Sequence, residues 1–286
     1  MKYLKTVLFI FAWLLLCRAS WLFGLAAGPH VRLGSWNLHN FFDEVDDPYK
    51  DQVFTREQVE KKIGQLAPII NTIDPDFLCV QEIENKPLLE RLAPRIPGVR
   101  YVVLVVGNDD FRGIQVGFLS KQPVLGYRTH RDMILRNHGR FSRDCLEVHV
   151  GGTYPMVILA NHFKSKLRGN EKSDELRHAQ AEGVIDIVKE LERWKPELPI
   201  AVAGDLNDST ESPCLEPLNY LYDPFARLSK ENRFTSRYKN KPIVLDHIRL
   251  NRNLAPHCCP HTATVYHRRD AEKASDHFPI YVDLAP

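Results

Sequence analysis

An α/β fold in which helices cover β-sheet is predicted by three observations. Short β-type runs recur along the chain, two long segments carry helical apolar spacing, and no Ser/Gly/Pro linker divides residues 30 to 286. The β-type runs are Val31 to Trp36, Phe77 to Val80, Tyr101 to Val106, Gly113 to Leu119, Cys145 to Val150, Met156 to Ala160, Ile200 to Ala203, Ile243 to Leu250 and Phe278 to Val282. The first helix follows Thr55, a good cap for the free N–H groups from Arg56 onward, and Val59, Ile63, Leu66, Ile69 and Ile70 form one stripe. The second follows Ser173, with Leu176, Ala179, Val184, Ile187, Val188 and Leu191 on one face and charges on the other. Residues 28–286 therefore read as one domain, without repeats or low-complexity tracts.

A hydrophobic content of 44% with 26% charged residues excludes disorder and collagen-like structure. The 38 Lys and Arg against 36 Asp and Glu give a net charge of +2. Lys2, Lys5 and Arg18 all lie in an acid-free apolar N-terminus, and without them 35 cations face 36 acids. The remainder is no general polyanion binder, so attraction to a polyanion must come from local patches. Lys2 and Lys5, the apolar run Val7 to Cys17 and the small-residue stretch Gly24 to Gly28 follow the order of a secretory signal peptide over residues 1–27, cleaved near Ala27. The alternative, a retained membrane anchor, puts Arg18 near mid-span at about 2.5 to 3.5 kcal/mol. The expected location is exported, periplasmic or extracellular, with membrane contact only if that segment is retained. The bulky Leu16 before Cys17 argues against a lipoprotein.

Removal of the leader leaves Cys79, Cys145, Cys214, Cys258 and Cys259, an odd number, so at least one thiol stays unpaired in the monomer. Cys79, inside an apolar run, reads as a packing residue, and the spacings match no zinc pattern. A bridge from Cys214 to Cys258 or Cys259 is compatible with the sequence, which does not fix it.

Polar residues at strand ends carry the chemistry. Asn37 ends the first run in "SWNLHNFF", where an Asn is more often a turn residue. Glu82, in "DFLCVQEIEN", emerges from a buried strand as a carboxylate able to hold a hard cation, since Mg²⁺ takes oxygen ligands and keeps several waters. Glu84 lies on the same side by alternation and reads as a solvated or supporting acid. His162 in "ILANHFKSK" precedes Lys164, Lys166 and Arg168, which suits a phosphate-facing loop with a proton-transfer group at its base. In "PIAVAGDLNDS", Gly204 permits close backbone approach, and extended geometry points Asp205 and Asn207 the same way, toward one water or phosphate oxygen; the competing reading is a polar turn. Asp246 in "VLDHIRL" and Asp276-His277 in "ASDHFPI" complete the set. An imidazole beside a carboxylate gains a fixed tautomer and a raised pKa, and can then stabilise a charged phosphate.

The ordered set "WN", "QE", strand-end His, "GDxN", an Asp-bearing late strand and "SDH" resembles the endonuclease/exonuclease/phosphatase superfamily over nearly the whole chain from Asn37 to His277. The resemblance implies a four-layer α/β sandwich, two mixed β-sheets packed face to face and flanked by helices. It implies Glu82 as principal Mg²⁺ ligand, assisted by Asn37 and Asp276, with Mn²⁺ as an alternative ion and a structural Ca²⁺ left open. By the same resemblance Asp205 aligns or deprotonates the attacking water, and Asn207 helps hold the phosphate. Asp246 and His277 stabilise the transition state, His162 protonates the leaving oxygen, and Arg143, on a strand, contacts phosphate together with Lys164.

Within the superfamily, "VQEIENKPLLE", "NHFKSK", the helix with Arg177 and Gln180, and "TSRYKNKPIVLDH" look most like secreted bacterial nucleases. Nucleic acid, DNA first and RNA second, is thus the expected substrate, with no obligate protein partner evident. Arg128, Arg131, Arg136, Arg140 and Arg143, with Asp132 the only acid among residues 128 to 143, form a row suited either to a nucleic-acid backbone or to a solvated loop. Phe111, Phe163 and Tyr238 are candidates for base stacking or local packing. The alternative is a phosphatase or a sphingomyelinase-like phospholipid phosphodiesterase, the latter favoured by an exposed hydrophobic hairpin that the sequence does not clearly show. A noncatalytic binding protein is disfavoured because every principal position is occupied.

Overall fold

The computed structural model describes residues 30–46, 52–105, 112–136, 139–166 and 171–285. The chain runs through β1 (Val31–Phe41), helix α1 (Arg56–Ile73), β2 (Phe77–Ile83), helix α2 (Lys86–Leu92), β3 (Tyr101–Leu104), β4 (Gln115–Ser120), β5 (Val124–Thr129) and the two-residue strands β6 (Ile134–Leu135) and β7 (Gly139–Arg140). It continues with β8 (Cys145–Val150), β9 (Met156–His162), helix α3 (Glu171–Trp194), β10 (Ile200–Asp205) and the short helix α4 (Lys230–Arg233). Then come the hairpin β11 (Ser236–Tyr238) and β12 (Lys241–Ile243), β13 (Asp246–Leu250), β14 (Cys258–Val265), helix α5 (Arg269–Ala274) and β15 (Ile280–Leu284). The candidate leader, residues 1–27, lies outside the described residues, as do Val106, Phe111 and Arg168.

Two mixed sheets form the expected sandwich, a six-stranded one in the order β14-β15-β1-β2-β4-β3 and a five-stranded one in the order β13-β10-β9-β8-β5. Alternation along β8 shows how the layers are built. Leu146, Val148 and Val150 point into the core between the sheets, with Trp36, Val80 and Phe118. Cys145 instead joins Leu159 and Val202 on the other face, beneath Val184, Val188 and Leu191 of α3. Helix α1 covers the first sheet with its predicted stripe, all of it buried. Its start is a capping box: Gln58 N–H donates to Thr55 Oγ1 at 3.2 Å, and Thr55 N–H to Gln58 Oε1 at 2.7 Å. Helix α3 begins at Glu171, so Ser173 lies inside it rather than before it.

Strands without an apolar run were not expected from sequence. β5 is an edge strand with Leu125 and Tyr127 largely exposed, and β14, the opposite edge of the other sheet, contains Pro260, which only an edge tolerates. The five cysteines from Cys79 onward are free thiols. The Cys214 bridge does not form because Cys214 sits in the turn Pro213–Tyr220 packed beside α3, whereas Cys258 and Cys259 begin β14 on the first sheet. Cys79 is fully buried, as its packing role requires.

Topology brings the polar residues to one end of the sandwich. β1 and β2 are parallel, as are β9 and β10, so Asn37, Glu82, His162 and Asp205 all lie toward C-terminal strand ends. β13 and β15 run antiparallel to these pairs, which places Asp246 opposite Asp205 and sets His277 just ahead of the Ile280 that pairs with Ser35. Close packing of β9 on β10 depends on Gly204, at φ +147°, where an added Cβ would stand 2.0 Å from the Asn161 carbonyl oxygen. Gly204→Ala is expected to destabilise the fold by about 3 kcal/mol through backbone strain and overlap; an unchanged denaturant midpoint would refute this.

Candidate active site

At that end, Asp205 is the hub. It is fully buried, and its Oδ2 accepts a 3.0 Å hydrogen bond from Asn37 Nδ2. The same oxygen lies 3.5 Å from His162 Nε2 and 3.9 Å from His277 Nε2. His277 Nδ1 in turn sits 2.7 Å from Asp246 Oδ2. Burial pushes Asp205 up to about 7 against the pull of His277, because a carboxylate deprived of water resists ionising. Burial works the other way on His277, but Asp246 and Asp205 overcome it and raise the imidazole to about 10. His277 is therefore an imidazolium at neutral pH, whereas burial, aided by Arg143, Arg112 and His277, drives His162 well below its ordinary value and keeps it neutral. A neutral imidazole is not itself a ready acid. The expected protonation of a leaving oxygen by His162 thus requires a proton delivered from elsewhere.

Glu82 stands at a break in the β2 register, with a left-handed backbone at φ +58°. Such strain in a non-glycine residue persists only where surroundings impose it. Asn40 N–H donates to Glu82 Oε2 at 2.9 Å, and Arg112 Nη2 approaches Oε1 at 3.6 Å. Burial would raise the Glu82 pKa, but Arg112, His277, Arg143 and a hydrogen bond from Asn37 bring it below the usual carboxylate value, so it is ionised. Glu84 is buried rather than solvated and accepts from Asp43 N–H at 2.6 Å, which leaves the supporting role of the two expected for it.

The other predicted residues divide. Asn207 lies beside Asp205 through a turn at φ +55°, not by strand alternation: its N–H donates to Asp205 Oδ1 at 2.9 Å and its Nδ2 to the Phe163 carbonyl at 3.0 Å. Arg143 precedes β8 instead of lying on a strand; buried, it donates from Nη1 to that same carbonyl at 2.9 Å. Lys164 is half-buried, its N–H held by Gln180 Oε1 at 2.9 Å and its carbonyl by Arg177 Nη1 at 3.2 Å. Asp276 is on the exposed rim, 3.6 Å from His39 Nδ1. Phe163 is buried packing, whereas Tyr238 is 49% exposed.

The arginine row is not an open cationic track. Arg128 pairs with Glu190, Arg131 and Arg140 with Asp132, and Arg136 with Glu182 and Asp186. Acids projecting from α3 supply most of these partners, which inspection of residues 128 to 143 alone could not reveal.

Several supporting residues escaped sequence reasoning. Thr235 Oγ1 accepts from Asp246 N–H at 3.1 Å, Ser275 Oγ donates to the Asn37 carbonyl at 2.7 Å, and Trp36 Nε1 donates to the His277 carbonyl at 2.9 Å. Only Ser275 and Trp36 had a signal, by adjoining "DH" and "N" in their motifs.

Asp205, Asp246 and His277 also form the one group of three potential metal donors found close together among the described residues. Their short internal hydrogen bond already joins His277 to Asp246, so this group is suited to sharing protons. Glu82 fits a hard divalent cation better: it is an ionised carboxylate hydrogen-bonded to the Asn37 side chain, while Asp276 lies on the rim beside His39.

No curated protein matches the sequence significantly. Among solved structures, truncated Caenorhabditis elegans TDP2 is similar at 17% identity and a TM-score of 0.63, covering 90% of this chain and 98% of that one. An endonuclease/exonuclease/phosphatase from Beutenbergia cavernae is similar at 18% identity and a TM-score of 0.63, covering 90% and 71%. The human Nocturnin catalytic domain with bound sulfate is similar at 16% identity and a TM-score of 0.61, covering 91% and 95%. At such low identity, this structural likeness shows a shared fold and no more. The model of the Endonuclease/Exonuclease/phosphatase family matches residues 32–272, and the chain belongs to that family of phosphoric ester hydrolases.

Proposed function

We propose that the protein is an exported, Mg²⁺-dependent phosphodiesterase that hydrolyses nucleic acid. One observation carries the reading: a buried Asp205, poised near neutrality, lies between a charged and a neutral imidazole and is joined through Asn37 to an ionised Glu82. Phosphodiesters carry negative charge that repels a nucleophile, so hydrolysis needs charge neutralisation, an aligned water and a proton for the departing alkoxide.

Glu82, with Asn37 and Asp276, would hold the cation. When bound, Mg²⁺ supplies Lewis-acid polarisation of the phosphate. Asp205 takes a proton from the attacking water, whose oxygen bonds to phosphorus as the bond to the leaving oxygen breaks. His277, kept protonated by Asp246, stabilises the charge gathering on the phosphoryl oxygens, and Asn207 holds the group in place. The departing alkoxide needs the proton that Asp205 has gained, and His162, 3.5 Å from that carboxylate, is positioned to relay it. Arg143 acts from behind by fixing the Phe163 carbonyl and by its charge, and Lys164 contributes at the rim.

The hairpin β11–β12 favours a nucleic-acid substrate. It is anchored at the cleft, since Ser236 pairs with His277 and Ser236 Oγ donates to the Asp276 carbonyl at 2.8 Å. Its exposed end carries Arg237, Tyr238, Lys239 and Lys241, cations beside an aromatic ring able to stack on a base. The exposed Leu125 and Tyr127 lie elsewhere, on β5 toward the Val150–Met156 end, so they offer no lipid contact at the cleft mouth.

Purified protein is expected to cleave DNA, and RNA in a parallel assay, with activity abolished by EDTA and restored by Mg²⁺ or Mn²⁺. Asp205→Asn should lower kcat by roughly 100-fold or more through loss of the base. Unchanged turnover would reject the site, and activity confined to sphingomyelin or phosphate monoesters would reject the substrate. The pH profile of kcat/KM should be bell-shaped. Asp205 must be ionised to act as base, so activity rises through pH about 7; His277 must stay protonated, so activity falls near pH about 10. A flat profile from pH 6 to 10 would contradict these assignments. Export with leader removal should give a mature chain beginning near Gly28, readable by intact mass; a chain retaining Met1 would overturn it.

A further inference from the structure

We propose that Lys62 is a positioning residue for the oxygen donors Glu82, Asn37 and Asp276, its ammonium fastening the turn that supports Glu82 to the segment that bears Asp276; the assignment rests on the cation site read above. Lys62 lies on α1, outside the residues given a chemical role, at the margin of the apolar stripe. It is partly buried, an unfavourable setting for a lysine unless its donors are satisfied. Its Nζ donates to the Ala274 carbonyl at 2.6 Å and to the His39 carbonyl at 3.1 Å.

Both acceptors are informative. His39 and Asn40 have consecutive left-handed backbones, at φ +54° and +51°, and this turn aims Asn40 N–H at Glu82 Oε2. Ala274 ends α5, one residue before Ser275, whose Oγ donates to the Asn37 carbonyl and accepts from His277 N–H at 3.0 Å. Asp276 follows, facing His39 across 3.6 Å. One ammonium therefore ties α1 to the strained turn supporting Glu82 and to the segment bearing Asp276 and His277.

The charge of Lys62 makes the inference decisive. A cation next to a cation site is electrostatically adverse, so if charge were its only influence, removing it would tighten metal binding. A positioning role predicts the opposite sign, and a purely architectural role predicts lower thermal stability with metal affinity unchanged.

The test is Mn²⁺ binding to the purified protein, followed by electron paramagnetic resonance on wild type, Lys62→Met, Lys62→Gln and Glu82→Gln. Lys62→Met is expected to weaken Mn²⁺ binding by roughly 10- to 100-fold, the range for partners that orient metal ligands. Lys62→Gln, which keeps a donor for one carbonyl, should fall between. Unchanged or tighter binding in Lys62→Met overturns the proposal; if that variant does not fold, unchanged or tighter binding in Lys62→Gln overturns it equally. Glu82→Gln separates the two levels. If it binds Mn²⁺ like wild type, the cation-site reading fails and this assignment with it, whereas a Glu82-dependent signal untouched at position 62 removes Lys62 alone.

Discussion

Burying the Asp205 carboxylate is the constraint on which the rest of the site depends. An ionised carboxylate removed from water is strongly disfavoured unless charge and hydrogen bonds compensate. Here compensation comes from Asn37, from the Asn207 N–H and from the nearby imidazolium of His277. That imidazolium exists because Asp246 holds its other nitrogen, and Asp246 is held by Thr235. The chain of dependence runs through three strands and the segment ahead of a fourth. The same balance leaves Asp205 near neutrality, where proton exchange is easiest.

The sandwich makes this assembly geometrically ordinary. Parallel pairs β1–β2 and β9–β10 deliver their C-terminal ends to one side, and antiparallel neighbours return their starts to the same side. Residues far apart in sequence then need only short departures from strand geometry to meet. Those departures are visible as left-handed backbones at Glu82 and Asn207 and as Gly204 against Asn161. Regular strands build the layers, and the irregular positions aim the chemistry.

Much of this was legible in the sequence. Apolar runs located nine of the strands, the Thr55 cap and stripe located α1, and the motif residues Asn37, Glu82, His162, Asp205, Asn207, Asp246 and His277 do converge. What escaped depended on long-range neighbours. Edge strands β5 and β14 lack an apolar run because one side meets solvent. Alternation explained the Asp205–Asn207 pair by the wrong geometry, because a left-handed turn at Asn207 intervenes. The neutrality of His162 follows first from its burial and then from the cations at Arg143 and Arg112, which no local motif announces. Likewise, Arg128 and Arg136 looked open because their acidic partners, Glu190, Glu182 and Asp186, lie tens of residues away on α3.

The pairing of those arginines with carboxylates has a further consequence. A strand of nucleic acid carries condensed small ions, and proteins gain affinity by setting them free as their own cations take the phosphates. On this face the guanidinium groups are already satisfied internally, so few small ions would be liberated there. For the proposed nucleic-acid substrate, grip on a long strand would then be concentrated at the cleft and its neighbouring hairpin, and ionic strength would act on a footprint of a few phosphates.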